Sequence, residues 1–219
     1  DTLIGGTGND SLRLTTASET LTGGAGDDNF VVAWQSASIA DSTLDGGSGN
    51  NSLNTWDGDL SVLTFSNVQT LNARQNWVAL TAAQFASLTT FNAIGNPITL
   101  KPKSSGTYDL SGRTITGTFN IDASGAGGSV VLKLTAAEFA ALGSLTAPSA
   151  GMTLQITDVG TYDLSGKTTS GAINIDACGV TDNVAIQLTN VQFTALTNVM
   201  DPNGRLTIKA TNAGTYDLA

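Results

Sequence analysis

Three stretches of the chain, GGTGNDSLR at 5–13, GGAGDDNFV at 23–31 and GGSGNNSLN at 46–54, place two adjacent glycines, a third glycine and an acidic or amide residue in the same order. The sixth position is Asp10, Asp28 or Asn51, and the eighth is Leu12, Phe30 or Leu53. Glycines allow a tight turn whose carbonyls point at a common centre, and the sixth residue adds a side-chain oxygen. The chemistry on offer is ligation of a hard cation by oxygen alone, which suits Ca2+. The apolar eighth residue would plug a core. Residues 5 and 23 are 18 apart, the length of two nonapeptides, so their loops are expected to lie one above the other.

The register extends beyond these copies. DTLI at the start fits the tail of an earlier nonapeptide, with Asp1 sixth and Leu3 eighth, and 14–22 keeps Glu19 and Leu21 in register without its glycines. That opposite edge is therefore expected to hold a weak site or none. The pattern resembles the repeats-in-toxin (RTX) family, the calcium-binding β-roll repeats of secreted bacterial proteins, over residues 1–54. The resemblance implies a first Ca2+ site between Gly5, Gly6, Gly8 and Asp10 of one loop and Gly23, Gly24, Gly26 and Asp28 of the next. It implies a second between that middle loop and Gly46, Gly47, Gly49 and Asn51. Two departures stand out: Asn51 replaces the usual aspartate, and the third copy follows the second by 23 residues. An insertion around 36–42 should bulge out, and the last site should bind less tightly. The degenerate repeat leading into FSNVQTLNA and Thr-rich strands is similar to bacterial surface-layer proteins and large adhesins. This implies one-step export directed by a C-terminal signal, with calcium folding the repeats outside the cell.

Other reactive groups are scarce. There is no His, which removes Ser-His triads and imidazole ligation. Cys178 is the single cysteine and stands where Ser124 stands in an internal repeat, so a buried small residue is expected. Asp109, Asp163 and Asp217 would stack, as would Asp122 and Asp176. They could accept backbone N–H bonds at turns, form a calcium ladder or form a catalytic pair. Lys133 and Lys167 lie near them in sequence, as a polysaccharide lyase would require, although Asp122/Lys133 becomes Asp176/Gln187 in the next copy. Trp34, Trp56 and Trp77 could offer stacking platforms to a sugar, or serve as core and rim residues.

These residues must be positioned by elements that also repeat. From residue 80 the period is 54: GTYDL begins at Gly106, Gly160 and Gly214, and FNIDASG at 119–125 returns as INIDACG at 173–179. TLQIT at 153–157, TYDL at 161–164, AINID at 172–176 and VAIQL at 184–188 read as short strands with Gly and Asn between them. Thr81, Thr135 and Thr189 precede Gln84, Glu138 and Gln192 by three residues, the spacing of a capping box. Leu80, Leu134 and Leu188 could staple to Phe85, Phe139 and Phe193. A helix of two or three turns is predicted at each.

The predicted fold is all-β, a parallel β-roll or β-solenoid with a short capped helix inserted once per 54-residue repeat. Residues 1–55 would form the calcium-binding β-roll and 56–219 the solenoid of 54-residue repeats. Because the chain stops inside a repeat, we expect it to be part of a longer protein.

Bulk composition narrows the function. The 219 residues carry a net charge of −9, and of 18 acidic residues only Glu19 and Glu138 are glutamate. Nine scattered Lys and Arg form no basic tract, so nucleic acid is not an expected partner. No apolar run approaches the roughly 18 residues of a membrane span. The leading expectation is a non-enzymatic, secreted structural protein of the bacterial cell surface: a surface-layer or matrix protein, or an adhesin stalk. Calcium would drive its folding and its lateral self-association into a lattice or filament, with cell-surface polysaccharide a further candidate partner. The alternatives are a calcium-binding module of a secreted polysaccharide-acting enzyme and a carbohydrate-binding adhesin.

Overall fold

The computed structural model describes residues 1–32 and 39–215. Trp34 and Asp217 lie outside the described residues. Among the described residues the chain is mostly β, in parallel sheets with three six-residue helices. It divides into two compact units, Asp1–Lys101 with Arg113–Thr118, and Pro102–Gly112 with Phe119–Ala219.

In the first unit, strands Thr2–Thr7, Thr20–Ala25, Thr43–Ser48 and Thr64–Ser66 form one parallel sheet. Ser11–Leu14, Asn29–Val32, Ser52–Thr55, Thr70–Ala73, Thr90–Ala93 and Thr114–Thr116 form another. Alternating side chains point inward, as a half-buried strand requires. Leu12, Phe30, Leu53, Leu71 and Phe91 pair in unbroken register and are all buried. The apolar eighth position of the glycine repeat thus supplies the core, and Leu71 extends it 18 residues past Leu53. Leu3 pairs with Leu21 as the register requires, but it is 39% exposed.

The insertion expected to bulge around 36–42 lies partly outside the described residues. Leu14 pairs with Val32, a shift of 18, whereas Thr20 pairs with Thr43, a shift of 23. The extra five residues therefore fall between those pairs, mostly outside the described residues. Where the stretch is described it does not bulge: Ile39 and Ser42 are buried, and the Ser18 N–H donates to the Ala40 carbonyl.

In the second unit the period of 54 is reproduced element by element. Gly106–Asp109, Phe119–Asp122, Val130–Leu134, helix Ala136–Ala141, Leu142–Thr146 and Met152–Ile156 return as Gly160–Asp163, Ile173–Asp176, Val184–Leu188, helix Asn190–Ala195, Leu196–Met200 and Leu206–Ala210. Strands predicted at 153–157, 161–164, 172–176 and 184–188 are observed within one residue of those bounds.

We label the helices α1 (Ala82–Ser87, in the first unit), α2 (Ala136–Ala141) and α3 (Asn190–Ala195). All three predicted capping boxes are present: each threonine accepts from the backbone N–H three residues on, and the Gln or Glu side chain returns to the threonine N–H. The helices are shorter than predicted, under two turns, because an extended residue follows at once in each (Leu88, Leu142 and Leu196). Phe85 and Phe139 are buried as expected, but Phe193 is only half-buried. Phe139 packs on the Tyr162 ring at 5.4 Å; the equivalent ring for Phe193, Tyr216, lies outside the described residues.

Candidate metal centre

The three glycine loops are built alike, and each glycine has a local reason. The second and third glycines of every copy adopt positive φ: Gly6 107°, Gly8 106°, Gly24 111°, Gly26 131°, Gly47 72° and Gly49 116°. That region is costly for residues with a Cβ. Stacking supplies a second reason. A Cβ on Gly24 would strike the Gly6 carbonyl, and one on Gly26 the Gly8 carbonyl. Gly47 and Gly49 relate to Gly24 and Gly26 in the same way. The carbonyl oxygen of each loop therefore lies against the glycine of the loop stacked on it, where only a residue without a Cβ fits.

The sixth-position side chains form a ladder. The Asp10 N–H donates to Asp28 Oδ1 at 2.9 Å, and the Asp28 N–H donates to Asn51 Oδ1 at 2.7 Å. The Asn51 N–H donates to Gln69 Oε1 at 2.7 Å. Asp28 and Asn51 are 1% and 0% exposed. Gln69 was not anticipated, although it lies 18 residues after Asn51 and the spacing alone could have pointed to it. A second, exposed ladder of fifth-position residues runs the other way: Asn9 Oδ1 accepts the Asp27 N–H and Asp27 Oδ1 accepts the Asn50 N–H, both at 2.8 Å.

The ladder bond from the Asp10 N–H uses one carboxylate oxygen of Asp28, and the other is left over. Oδ2 of Asp10 and Oδ2 of Asp28 are buried with no hydrogen-bond partner among the described residues. A buried carboxylate oxygen without a donor is expensive. At the first loop, Asp10 Oδ2 lies 2.5 Å, and the Gly23 carbonyl oxygen 2.7 Å, from the point a Gly5 Cβ would occupy. Two oxygens, neither with a proton to give, thus crowd the same spot. At the second loop Asp28 Oδ2 lies beside the point a Gly23 Cβ would occupy. This donor set fits Ca2+, which would draw on Asp10, Asp28 and the loop carbonyls. No three His, Cys, Asp or Glu side chains gather anywhere among the described residues, so main-chain oxygens would have to supply most of the coordination.

The third loop does not fit as well. At the corresponding point beside Gly46 lie Asn51 Nδ2 and the Asn67 carbonyl, and these are hydrogen-bonded to each other at 2.9 Å. Asn67 itself is held in the left-handed region, φ 54°, by its Nδ2 donating to Asp45 Oδ1 at 2.7 Å. This bond is the largest influence holding the Asp45 carboxyl below its ordinary range.

On the opposite edge, Glu19 is buried and fully engaged. The Thr15 N–H donates to Oε2 at 3.0 Å, and the hydroxyls of Thr15 and Thr16 donate to Oε1 at 3.1 and 2.8 Å. The Thr15 N–H does most to hold this carboxyl below its usual value. The geometry leaves little for a cation there.

The Asp residues of the 54-residue repeat close turns. Oδ1 of Asp109, Asp122, Asp163 and Asp176 accepts the N–H two residues on, from Ser111, Ser124, Ser165 and Cys178, at 2.9–3.2 Å. Asp59 does the same with Ser61, an instance the period did not reveal. Cys178 is exposed, contrary to expectation, because the third position of this turn faces outward; the adjacent Asp176 side chain pushes its thiol pKa up. Lys133 Nζ forms an ion pair with Asp109 Oδ2 at 3.0 Å. Lys167 donates to the Leu142 carbonyl and lies 4.8 Å from the centre of the Phe139 ring, with burial drawing its pKa down. Trp56 and Trp77 are half-buried, and each carries a cation over its ring, Arg74 at 5.8 Å and Lys101 at 4.7 Å.

Compared with known proteins, the chain matches no family profile, no curated sequence and no solved structure.

Proposed function

We propose that this chain is a calcium-binding structural module of a secreted bacterial cell-surface protein, of the surface-layer, matrix or adhesin-stalk type. Its glycine loops would stack as an RTX-like β-roll, and its 54-residue repeats as a β-solenoid. The observation that carries the calcium reading is the pair of buried oxygens on Asp10 and Asp28, one loop apart, without a hydrogen-bond partner among the described residues. The parallel register, with shifts of 18 and 23 between copies, supports the roll. A structural rather than catalytic role is supported by how the polar side chains are spent: the repeat aspartates close turns, Lys133 is paired, and Lys167 is held by a carbonyl and a ring. The tryptophan faces covered by Arg74 and Lys101 favour scaffold over sugar platform.

Calcium titration calorimetry tests the site. Asp28→Ala should weaken binding by roughly tenfold or more, about 1.4 kcal/mol, and more than Asp10→Ala does, because Asp28 faces both neighbouring loops. Equal affinity in both variants and the parent protein would remove the proposed ligands.

A further inference from the structure

We infer that the calcium ladder ends at Asn51 in a metal-independent clasp, so that the third glycine loop is held by hydrogen bonds where the first two wait for a cation. The inference rests on the calcium reading only for what fills the first two loops; the clasp itself stands on the residues around Asn51.

The comparison is between equivalent points. Beside Gly5, Asp10 Oδ2 and the Gly23 carbonyl oxygen lie 2.5 and 2.7 Å from the point a Cβ would occupy, and Asp10 Oδ2 has no donor among the described residues. Beside Gly46 the sixth-position side chain presents Asn51 Nδ2 next to the Asn67 carbonyl, and the two are bonded at 2.9 Å. The amide N–H supplies the positive partner that a cation would supply one loop away. Every other polar atom of the Asn51 side chain and backbone is also engaged: Oδ1 accepts the Asp28 N–H, the N–H donates to Gln69 Oε1, and the carbonyl accepts from the N–H groups of Gln69 and Thr70. The acceptor is held in place in turn. Asn67 sits in a left-handed conformation that asparagine tolerates better than most residues, and Asp45 Oδ1 fixes its side chain together with the Ser66 hydroxyl and the Gly47 N–H.

Asn51 is therefore not a weakened ligand. It replaces the ion, and it leaves Asp28 as the last carboxylate of the stack. The consequence is directional: in calcium-free protein the third loop already has the register that the second must adopt, because Asn51 Oδ1 holds the Asp28 N–H. The clasp is a template on which the calcium loops can order.

The test exchanges amide and carboxylate and measures both calcium stoichiometry and melting temperature, with calcium and with chelator. Asn51→Asp puts a second oxygen against the Asn67 carbonyl. It should bind one more calcium ion than the parent protein and melt lower in chelator, by roughly 2–4 °C for a chain of this size. Asp28→Asn, the reverse exchange, should bind fewer ions and melt no lower than the parent in chelator. If Asn51→Asp binds the same number of ions and melts unchanged in chelator, the clasp is refuted. Should Asn51→Asp not fold, Asp28→Asn decides: a lower melting point in chelator would refute the clasp. If the parent protein binds no calcium while Asn51→Asp still melts lower in chelator, the clasp stands and the calcium reading of the first two loops falls.

Discussion

Glu19 occupies the sixth position of a nonapeptide, as Asp10 and Asp28 do, yet its carboxylate meets three local donors and theirs keep an oxygen bare. The residue type alone does not separate the two cases; what does is the TT pair at 15–16, with Thr15 standing where the other copies have glycine and Thr16 where they have Thr7, Ala25 and Ser48. The contrast gives a pH prediction. The carboxyls of Glu19 and Asp45 are held below their ordinary values of 4.5 and 3.8. A depressed folded-state pKa means a contribution to stability that is present above those values and is lost as pH falls through the lower folded ones. Denaturant unfolding in chelator should therefore show stability falling below about pH 4.5, and Glu19→Gln should fall less steeply over the same range. A Glu19→Gln profile parallel to that of the parent would contradict the role given to Thr15 and Thr16. At this scale the glycines, Asp10, Asp28 and the core residues Leu12, Phe30 and Leu53 were legible from spacing. The Asn51–Asn67–Asp45 chain was not, because it joins residues whose contact depends on the irregular shift of 21 that pairs Thr43–Ser48 with Thr64–Ser66.

At the scale of single elements, the three helices were the most legible feature, since Thr at N-cap with Gln or Glu three residues on is a local signal. Their ends were not, because each is cut short by a strand the next copy demands. Thr135→Ala should lower stability by about 1 kcal/mol through the lost cap. Phe139→Ala should lower it by about 3–5 kcal/mol, since Phe139 is buried against Tyr162. Thermal or chemical denaturation checks both, and a Phe139→Ala cost near that of Thr135→Ala would mean the ring is not part of the core. The cap glutamines also do something the spacing did not show. Gln84 Nε2 donates to the carbonyls of Leu60 and Leu63 at 2.7 and 2.9 Å, and Gln192 Nε2 donates to those of Leu164 and Lys167. Glu138 has no such proton, and its Oε1 accepts from the Gly112 N–H instead, at 3.3 Å. Glu138→Gln should therefore gain about 0.5–1.5 kcal/mol by donating to the Leu110 carbonyl, the counterpart of Leu164. A loss of stability in this variant would show that the Gly112 contact matters more.

At the scale of the whole molecule, the proposed function makes a further prediction: calcium would neutralise part of the acidic surplus, and the Thr-rich, weakly charged strands would then associate. Light scattering against calcium concentration should show growth in particle size in the roughly 0.1–1 mM range of extracellular calcium sites; a constant size would confine calcium to folding. The measurement that bears most directly on the account is the far-ultraviolet circular dichroism and melting curve of this chain in millimolar calcium and in chelator. The account predicts that calcium raises the melting temperature and adds β-signal, and that Asp10→Ala with Asp28→Ala abolishes both effects. Identical spectra and melting curves with calcium and with chelator would contradict it.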